Sequence, residues 1–370
     1  MPQVKFWNPA LTYQKLKPEI DAAIQDVLSS GNLICGYGGY VEKFEKEFAD
    51  YIGVKHCVMT GAGTHALYLA YKALGLGPGD EVITTSMTFI ATIDQIVAVG
   101  AIPVLVDTGD DGLIDPEEVK KVRTSQTKAI VPVHLEGKLC HTSALYGRIH
   151  SPEQFDPYII EDAAQAIGAS GERFKAGNLG HAGCFSFYPA KLLGGLGNSG
   201  AITTNDDKLA ARLRDMRSNG RIGKNPDIEN AEYGTNMEPD NIQAAVLSVK
   251  MKYLDSFIKR RQEIAKIYDE GLKDLPVILP LKQEGRVYQD YCIRVPERKA
   301  ELVEHFKKND IEILGHNLIP NHFYPKLNLK FNLPKTEQYI REQIRIPCNE
   351  NLTNEEVEYV IKNIQNFFPR

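Results

Sequence analysis

The sequence predicts an α/β protein: a large domain on a mostly parallel sheet flanked by helices, then a smaller α+β domain. Three observations carry that prediction. Between residues 54 and 204, short runs rich in β-branched residues alternate with helical stretches. The runs are continuously apolar, which marks strands covered on both faces. After Asn236 the alternation stops and a long amphipathic stretch begins. The division falls at 1–245 for the large domain and 246–370 for a long linking helix and the small domain. A chain of 370 residues suits two units, because single cores stop growing at roughly 250–300 residues.

Each element has its own local signal. Lys55 to Thr60 reads as a strand, and Thr64 to Leu74 as a helix closed by Gly75. Glu81 to Thr84 is strand-like and Thr88 to Val99 helical. Pro103 to Asp107 is a buried strand, followed by a helix that Asp115 caps and Pro116 opens. Lys128 to His134 and Tyr158 to Asp162 are further apolar strands. Thr60, Asp107, His134 and Asp162 end their strands, so the sheet should bring them to one edge, where ligands of such sheets bind. Pro239 to Asp274 can form a single amphipathic helix with Ile242, Ala245, Val249 and Ile258 on one face. Beyond it, strands at Tyr288 to Val295 and Ile311 to Leu314, with helices over Arg298 to Asn309 and Asn354 to Phe368, make the small domain.

Composition narrows the function. With 43 basic and 48 acidic residues the net charge is −5, no footprint for nucleic acid. The apolar stretch Ile96 to Val106 is too short to span a membrane and is broken by Gly100 and Pro103. The amino terminus lacks the apolar core of a secretory signal, so a cytoplasmic protein is expected. The cysteines at 35, 57, 140, 184, 292 and 348 have no metal-ligand spacing. They read as reduced, buried thiols, and no metal is expected.

Four local signals carry chemistry. In Cys184-Phe-Ser-Phe-Tyr-Pro-Ala-Lys191, a lysine follows a strand and precedes eight uncharged residues, three of them glycine up to Gly197. A desolvated lysine is a nucleophilic amine able to bond a carbonyl carbon; a surface lysine on a loop is the rival reading. Glu161-Asp162 closes an apolar strand. Such a pair is commonly a helix cap, and alternatively a buried carboxylate facing a protonated pyridine nitrogen. Thr60-Gly-Ala-Gly63-Thr64 joins a strand to a helix and suits a phosphate cup. Taken singly it is an ordinary packing turn, and neither Walker nor Rossmann spacing is met. Phe89 would usually be core, and beside the other three becomes a plate for a planar ring. Lysine, acid, cup and plate together describe a pyridoxal phosphate site.

With Phe44-Glu45, Gly77-Pro-Gly-Asp-Glu-Val-Ile83, Val133-His134-Leu135, Ile242-Gln243-Ala-Ala245 and the closing Pro347 to Phe368, the chain resembles the DegT-type sugar-nucleotide aminotransferases. These are pyridoxal phosphate enzymes of the aspartate-aminotransferase-like fold type I, whose large domain holds a seven-stranded sheet. The resemblance implies that Lys191 bonds the cofactor aldehyde and shuttles the proton, that Asp162 pairs with the ring nitrogen, and that Gln165 meets the phenolic oxygen. Gly63, Thr64 and Ser186 would hold the phosphate, and Phe89 would stack on the ring. Asn236 looks like the residue that reaches the phosphate of a neighbouring subunit, which implies a homodimer with shared sites. L-Glutamate would be the donor and a nucleotide-linked keto sugar the acceptor. The loop Gly195-Leu-Gly-Asn-Ser-Gly200 lacks the Gly-Glu-Gly-Gly run of many members that aminate C4, so a dTDP-linked 3-keto-6-deoxyhexose is favoured over a 4-keto sugar. Tyr188, His316 and His322 are candidate sugar contacts, the two histidines having a structural role as the rival reading. His134 is expected in the site wall. Glu136, Glu238 and Asn317 stand where the family often has tyrosine, arginine and tyrosine, near expected substrate or interface surfaces. A sugar dehydratase is disfavoured because Lys191 is retained, and a decarboxylase or desulfurase because no cysteine stands in a catalytic loop. A non-catalytic cofactor-binding regulator is the alternative from another class.

Overall fold

The computed structural model describes residues 3–36, 38–140, 156–171, 174–220 and 233–368. Seven strands form one sheet: β1 (His56–Thr60), β2 (Glu81–Thr85), β3 (Ile102–Val106), β4 (Thr127–Ile130), β5 (Tyr158–Asp162), β6 (Ala182–Ser186) and β7 (Gly200–Thr204). Their order is β1-β7-β6-β5-β4-β2-β3. β7 runs antiparallel to both β1 and β6, and the remaining pairs are parallel. The fold class read from the sequence is therefore the fold observed.

Period-two alternation sorts the strand residues into two cores. Val58, Ile160, Cys184 and Ile202 pack beneath the helix Gly63–Ala73 with Leu69 and Tyr71. Met59, Phe185 and Ala201 face the other way, against Phe44 and Phe48 of the helix Tyr40–Ile52. There Phe48 meets Phe185 edge-on, with ring centroids 4.9 Å apart.

Two predicted elements differ for visible reasons. The strand expected over Lys128 to His134 ends at Ile130, because Pro132 has no N–H to extend the ladder. Its carbonyl instead accepts from the Asp162 N–H, and Val133 rejoins Asp162 through one bridge. The long helix over Pro239 to Asp274 is two helices, Asn241–Met251 and Leu254–Leu272. They join at Lys252 and Tyr253, whose side chains both bond Glu19 of the first helix, Pro9–Ser30.

A third core gathers Tyr268, Phe306, Val357 and Ile361 around the antiparallel pair β8 (Tyr291–Arg294) and β9 (Gln343–Ile346). Val4 packs there too, bridged to Ile311. The segment Ile311 to Leu314 is no strand; single bridges tie its two ends to Val4 and Arg345. Among the described residues no helix is long and apolar enough to cross a membrane.

Candidate active site

The expected convergence of four strand-end residues is met by one. Asp107 accepts from the N–H groups of Lys335 and Thr336 and from the Thr336 hydroxyl, and so caps the helix Pro334–Glu342. The Thr60 hydroxyl bonds the Ala62 carbonyl. His134 is fully buried, not a wall residue: Nε2 lies 2.8 Å from Glu161, and the Cys140 N–H donates to Nδ1. That second bond assigns the ring hydrogen to Nε2, which donates to the carboxylate. Asp162 alone of the four reaches a cavity of about 610 Å³.

Gly63, Thr64, Phe89, Asp162, Gln165, Ser186, Tyr188 and Lys191 all line this cavity. Asp162 Oδ2 accepts from the Thr92 hydroxyl at 2.7 Å and Oδ1 from the Ala164 N–H at 3.2 Å, which fixes the carboxylate and leaves lone pairs unfilled. The Glu136 N–H donates to Gln165 Oε1 at 2.9 Å, so the Gln165 amide keeps its N–H₂ as donor toward the cavity. The helix Gly63–Ala73 begins without a side-chain cap, since Ala62 stands at the capping position. Its first N–H groups are thus open to an anion. A Cβ on Gly63 would come within 2.7 Å of Ser186 Cβ, and one on Gly200 within 2.6 Å of Gly63 N. Both glycines are required for strand and helix start to close into a cup.

Phe89 is 68% exposed. It lies just ahead of the helix Ala91–Ala98, on a segment that Asn321 Nδ2 grips through the Ser86 and Thr88 carbonyls. This grip delays the helix predicted from Thr88. Lys191 follows Pro189 in a turn closed by its own N–H on the Tyr188 carbonyl. Gln289 holds both sides of that turn, accepting from the Leu192 N–H and donating to the Ala190 carbonyl. Burial lowers the Lys191 pKa, assisted by Arg345 and opposed by Asp290 and Asp162. The result is an amine more readily deprotonated than a surface lysine.

Besides His134, three of the expected site residues lie off the cavity wall. His322 is buried, with Nδ1 2.9 Å from Ser86 Oγ and Nε2 3.2 Å from Glu337, so it braces the segment leading to Phe89 and touches no cavity surface. His316 is half-buried, and Leu314, two residues earlier, lines the wall in its place. Asn236 is exposed, its Oδ1 accepting from the Glu238 N–H. Glu136 is fully buried against Lys138 and Arg286, at no substrate or subunit surface. Sequence reading missed Trp7, Gln289, Asp290 and Arg345, all in the wall. Trp7 Nε1 donates to the Pro189 carbonyl, which draws the amino-terminal segment over the rim.

The donor set fits pyridoxal phosphate: an amine, a carboxylate with unfilled lone pairs, an uncapped helix start and an exposed aromatic ring share one cavity. The profile of the DegT/DnrJ/EryC1/StrS aminotransferase family matches residues 14–365. The chain is 38% identical to a "Pleiotropic regulatory protein" of Geobacillus stearothermophilus, over 96% of each chain. It is 38% identical to a dTDP-3-amino-3,4,6-trideoxy-alpha-D-glucose transaminase of Streptomyces venezuelae, covering 100% of this chain and 97% of that one. It is 39% identical to a dTDP-3-amino-3,6-dideoxy-alpha-D-galactopyranose transaminase of Aneurinibacillus thermoaerophilus, over 96% of each. The crystal structure of Streptomyces venezuelae DesV with a ketimine intermediate superposes with a TM-score of 0.94 at 36% identity, covering 100% of both chains. The chain belongs to the DegT/DnrJ/EryC1/StrS aminotransferase family, whose enzymes depend on pyridoxal phosphate.

Proposed function

We propose that this chain transfers the amino group of L-glutamate to the keto carbon of a nucleotide-linked sugar, with a dTDP-linked 3-keto-6-deoxyhexose as acceptor. The observation that carries the reading is the meeting of Lys191, Asp162 and the uncapped Gly63–Thr64 helix start in one cavity. The choice of C3 is supported by the loop after Lys191 and by two full-length relatives named for 3-amino sugars.

Bound pyridoxal phosphate supplies an aldehyde carbon and an electron-withdrawing ring. Lys191 Nζ would hold that carbon and would be the group that moves the proton between substrate carbon and cofactor carbon. Burial lowers its pKa, which favours the free amine over the ammonium relative to a surface lysine. Asp162, steadied by Thr92, would accept the ring N–H and favour the charged nitrogen. Gln165 would donate to the phenolic oxygen, and Phe89 would offer its ring as a stacking face. The Gly63 and Thr64 N–H groups and Ser186 Oγ would hold the phosphate. Trp7 and Tyr188 add aromatic surface to the cavity wall. Asn236 lies outside its own chain's cavity, which supports a homodimer in which it serves the partner's phosphate.

The test is a panel of nucleotide-linked 3-keto and 4-keto sugars with glutamate, read by mass for the amino product. Amination confined to 4-keto compounds overturns the choice of carbon. A regulatory role is the second reading, favoured by the name of the Geobacillus relative. Conversion of the holoenzyme absorbance from the aldehyde to the pyridoxamine form on adding glutamate decides for catalysis, and an unchanged spectrum decides for a binder.

A further inference from the structure

One residue that the substrate reading leaves unused stands in a strained turn directly behind the cofactor cavity. Glu136, in the turn Leu135–Gly137, has φ 57° and ψ 22°, a left-handed backbone that a β-carbon makes costly. Strain of that kind persists only where the surroundings over-determine it. Here they do so from two sides. Gly137, itself at φ 82°, sits so close to the chain before β8 that an added Cβ would lie 2.8 Å from Tyr288 N. Its carbonyl accepts from the Val287 N–H at 3.1 Å. The Glu136 side chain is fully buried, with Oε2 3.1 Å from Lys138 Nζ and 3.5 Å from both Arg286 Nη2 and the Tyr339 hydroxyl. Both cations are anchored in turn, Lys138 on the Asp111 carbonyl and Arg286 on the Leu281 and Asp290 carbonyls. Arg345 and Cys292 lie near the carboxylate as well. Burial works to raise the Glu136 pKa, but Lys138, Arg345 and Arg286 outweigh it, so the group is an anion. Only its backbone reaches the site: the Glu136 N–H donates at 2.9 Å to Oε1 of Gln165, which lines the cavity.

We propose that Glu136 is a positioning residue for the cofactor. Its carboxylate, pinned between Lys138 and Arg286, holds the left-handed turn that aims its own N–H at Gln165, and so turns the Gln165 amide nitrogen toward the phenolic oxygen. This rests on the reading above that places Gln165 at that oxygen, and deepens it. A side-chain amide has nearly the same shape in its two orientations, one presenting donors and the other an acceptor. The Glu136 N–H can bond only the oxygen, so it selects the orientation with Nε2 facing the cavity. A donor there stabilises the phenolic oxygen as an anion and lowers its affinity for a proton. The reversed amide would set a carbonyl oxygen against that anion.

The experiment follows the visible absorbance of holoenzyme against pH, with neither glutamate nor sugar present. The midpoint of the change reports the proton affinity of the bound cofactor. Wild type is compared with Glu136→Gln, Glu136→Gln/Arg286→Met, Gln165→Ala and Gln165→Ala/Glu136→Gln. The second variant removes one charge of each sign, a replacement that buried pairs often tolerate, so the measurement stands even where Glu136→Gln alone does not fold. Both variants that keep Gln165 should raise the midpoint by about one pH unit, a tenfold gain in proton affinity. Gln165→Ala should raise it at least as far. Adding Glu136→Gln to Gln165→Ala should move it no further, because the effect runs through Gln165. The sign excludes a simple field effect: loss of a nearby anion would by itself favour the deprotonated cofactor and lower the midpoint. An unmoved or lowered midpoint in the folded Glu136 variants overturns the proposal. So do additive shifts in the variant that combines both sites, the mark of a merely structural role. An unmoved midpoint in Gln165→Ala overturns it too, and removes Gln165 from the phenolic oxygen. Failure of transamination alone would sink the transaminase reading and leave each of these measurements in force.

Discussion

Glu161 and Asp162 are neighbours at the end of β5, both carboxylates, both nearly inaccessible at 0% and 5% exposure, and they do opposite things. Strand alternation turns them to opposite faces of the sheet. Glu161 is filled by the protein: Oε1 accepts the Leu179 and Gly180 N–H groups, and Oε2 accepts the Gly177 N–H and His134 Nε2. Four donors satisfy a carboxylate's four acceptor sites. Asp162 has two donors and a cavity. The lysines divide the same way. Buried Lys250 donates to the Gly194 carbonyl, whereas the Lys191 amine has no hydrogen-bond partner among the described residues. Burial of a charged group thus says little about chemistry. What separates structural from chemical residues here is whether the protein itself completes their bonding.

The comparison breaks most sharply at the lysines. Lys191→Ala is expected to lower transamination by at least about 10²–10⁴, the scale of a positioned acid–base group, and to end cofactor labelling by borohydride without lowering Tm. Lys250→Met should cost stability and leave turnover per folded molecule near wild type. Retained turnover in the Lys191 variant would remove the assignment. At the carboxylates, Asp162→Asn is expected to lower turnover by about 10²–10³ with little change in unfolding free energy. Glu161→Gln should do the reverse. Its new N–H₂ would face backbone donors, at a cost of about 1–3 kcal/mol in chemical denaturation. Equal stability losses in the two variants would erase the distinction drawn between them.

A gentler perturbation sits at the cup. Gly63→Ala places a methyl 2.7 Å from Ser186 Cβ, so the helix start must shift away from β6. Overpacking of this kind costs about 1–3 kcal/mol, here expressed as weaker cofactor retention on dialysis, with activity restored by excess pyridoxal phosphate. Loss of activity that excess cofactor does not restore would place the damage elsewhere.

The legible and illegible parts of this site differ in range. The limits of β5 are plain from its apolar run, and the cup, Asp162 and Lys191 each sit in a local motif at the end of a strand. Gln289, Asp290 and Arg345 approach Lys191 from about a hundred residues or more along the chain, and no spacing rule links them. Their only trace is polarity out of place: Gln289-Asp290 opening an apolar strand, and Arg345 between Ile344 and Ile346. His134, His316 and His322 draw attention because histidine suits catalysis, yet sequence does not reveal whether an imidazole is already satisfied. Glu161 satisfies His134, and Ser86 with Glu337 satisfies His322.

The smallest expected effect tests the lysine's environment directly. Burial lowers the Lys191 pKa below the ordinary 10.5, while Asp290 and then Asp162 oppose the shift. Between the lowered value and 10.5 the unfolded chain binds more protons at this site than the folded apoprotein, so the site's contribution to stability rises with pH across that window. Capture of pyridoxal phosphate by apoprotein needs the free amine and should accelerate through a midpoint below 10.5. Asp290→Asn removes the largest opposing charge, so it should move the midpoint lower still. Substitution of Lys250, whose amine is held by the Gly194 carbonyl, should leave the midpoint unmoved. A midpoint at 10.5 in wild type would show that the amine is as well solvated as any on the surface, and the contrast between the two lysines would fall with it.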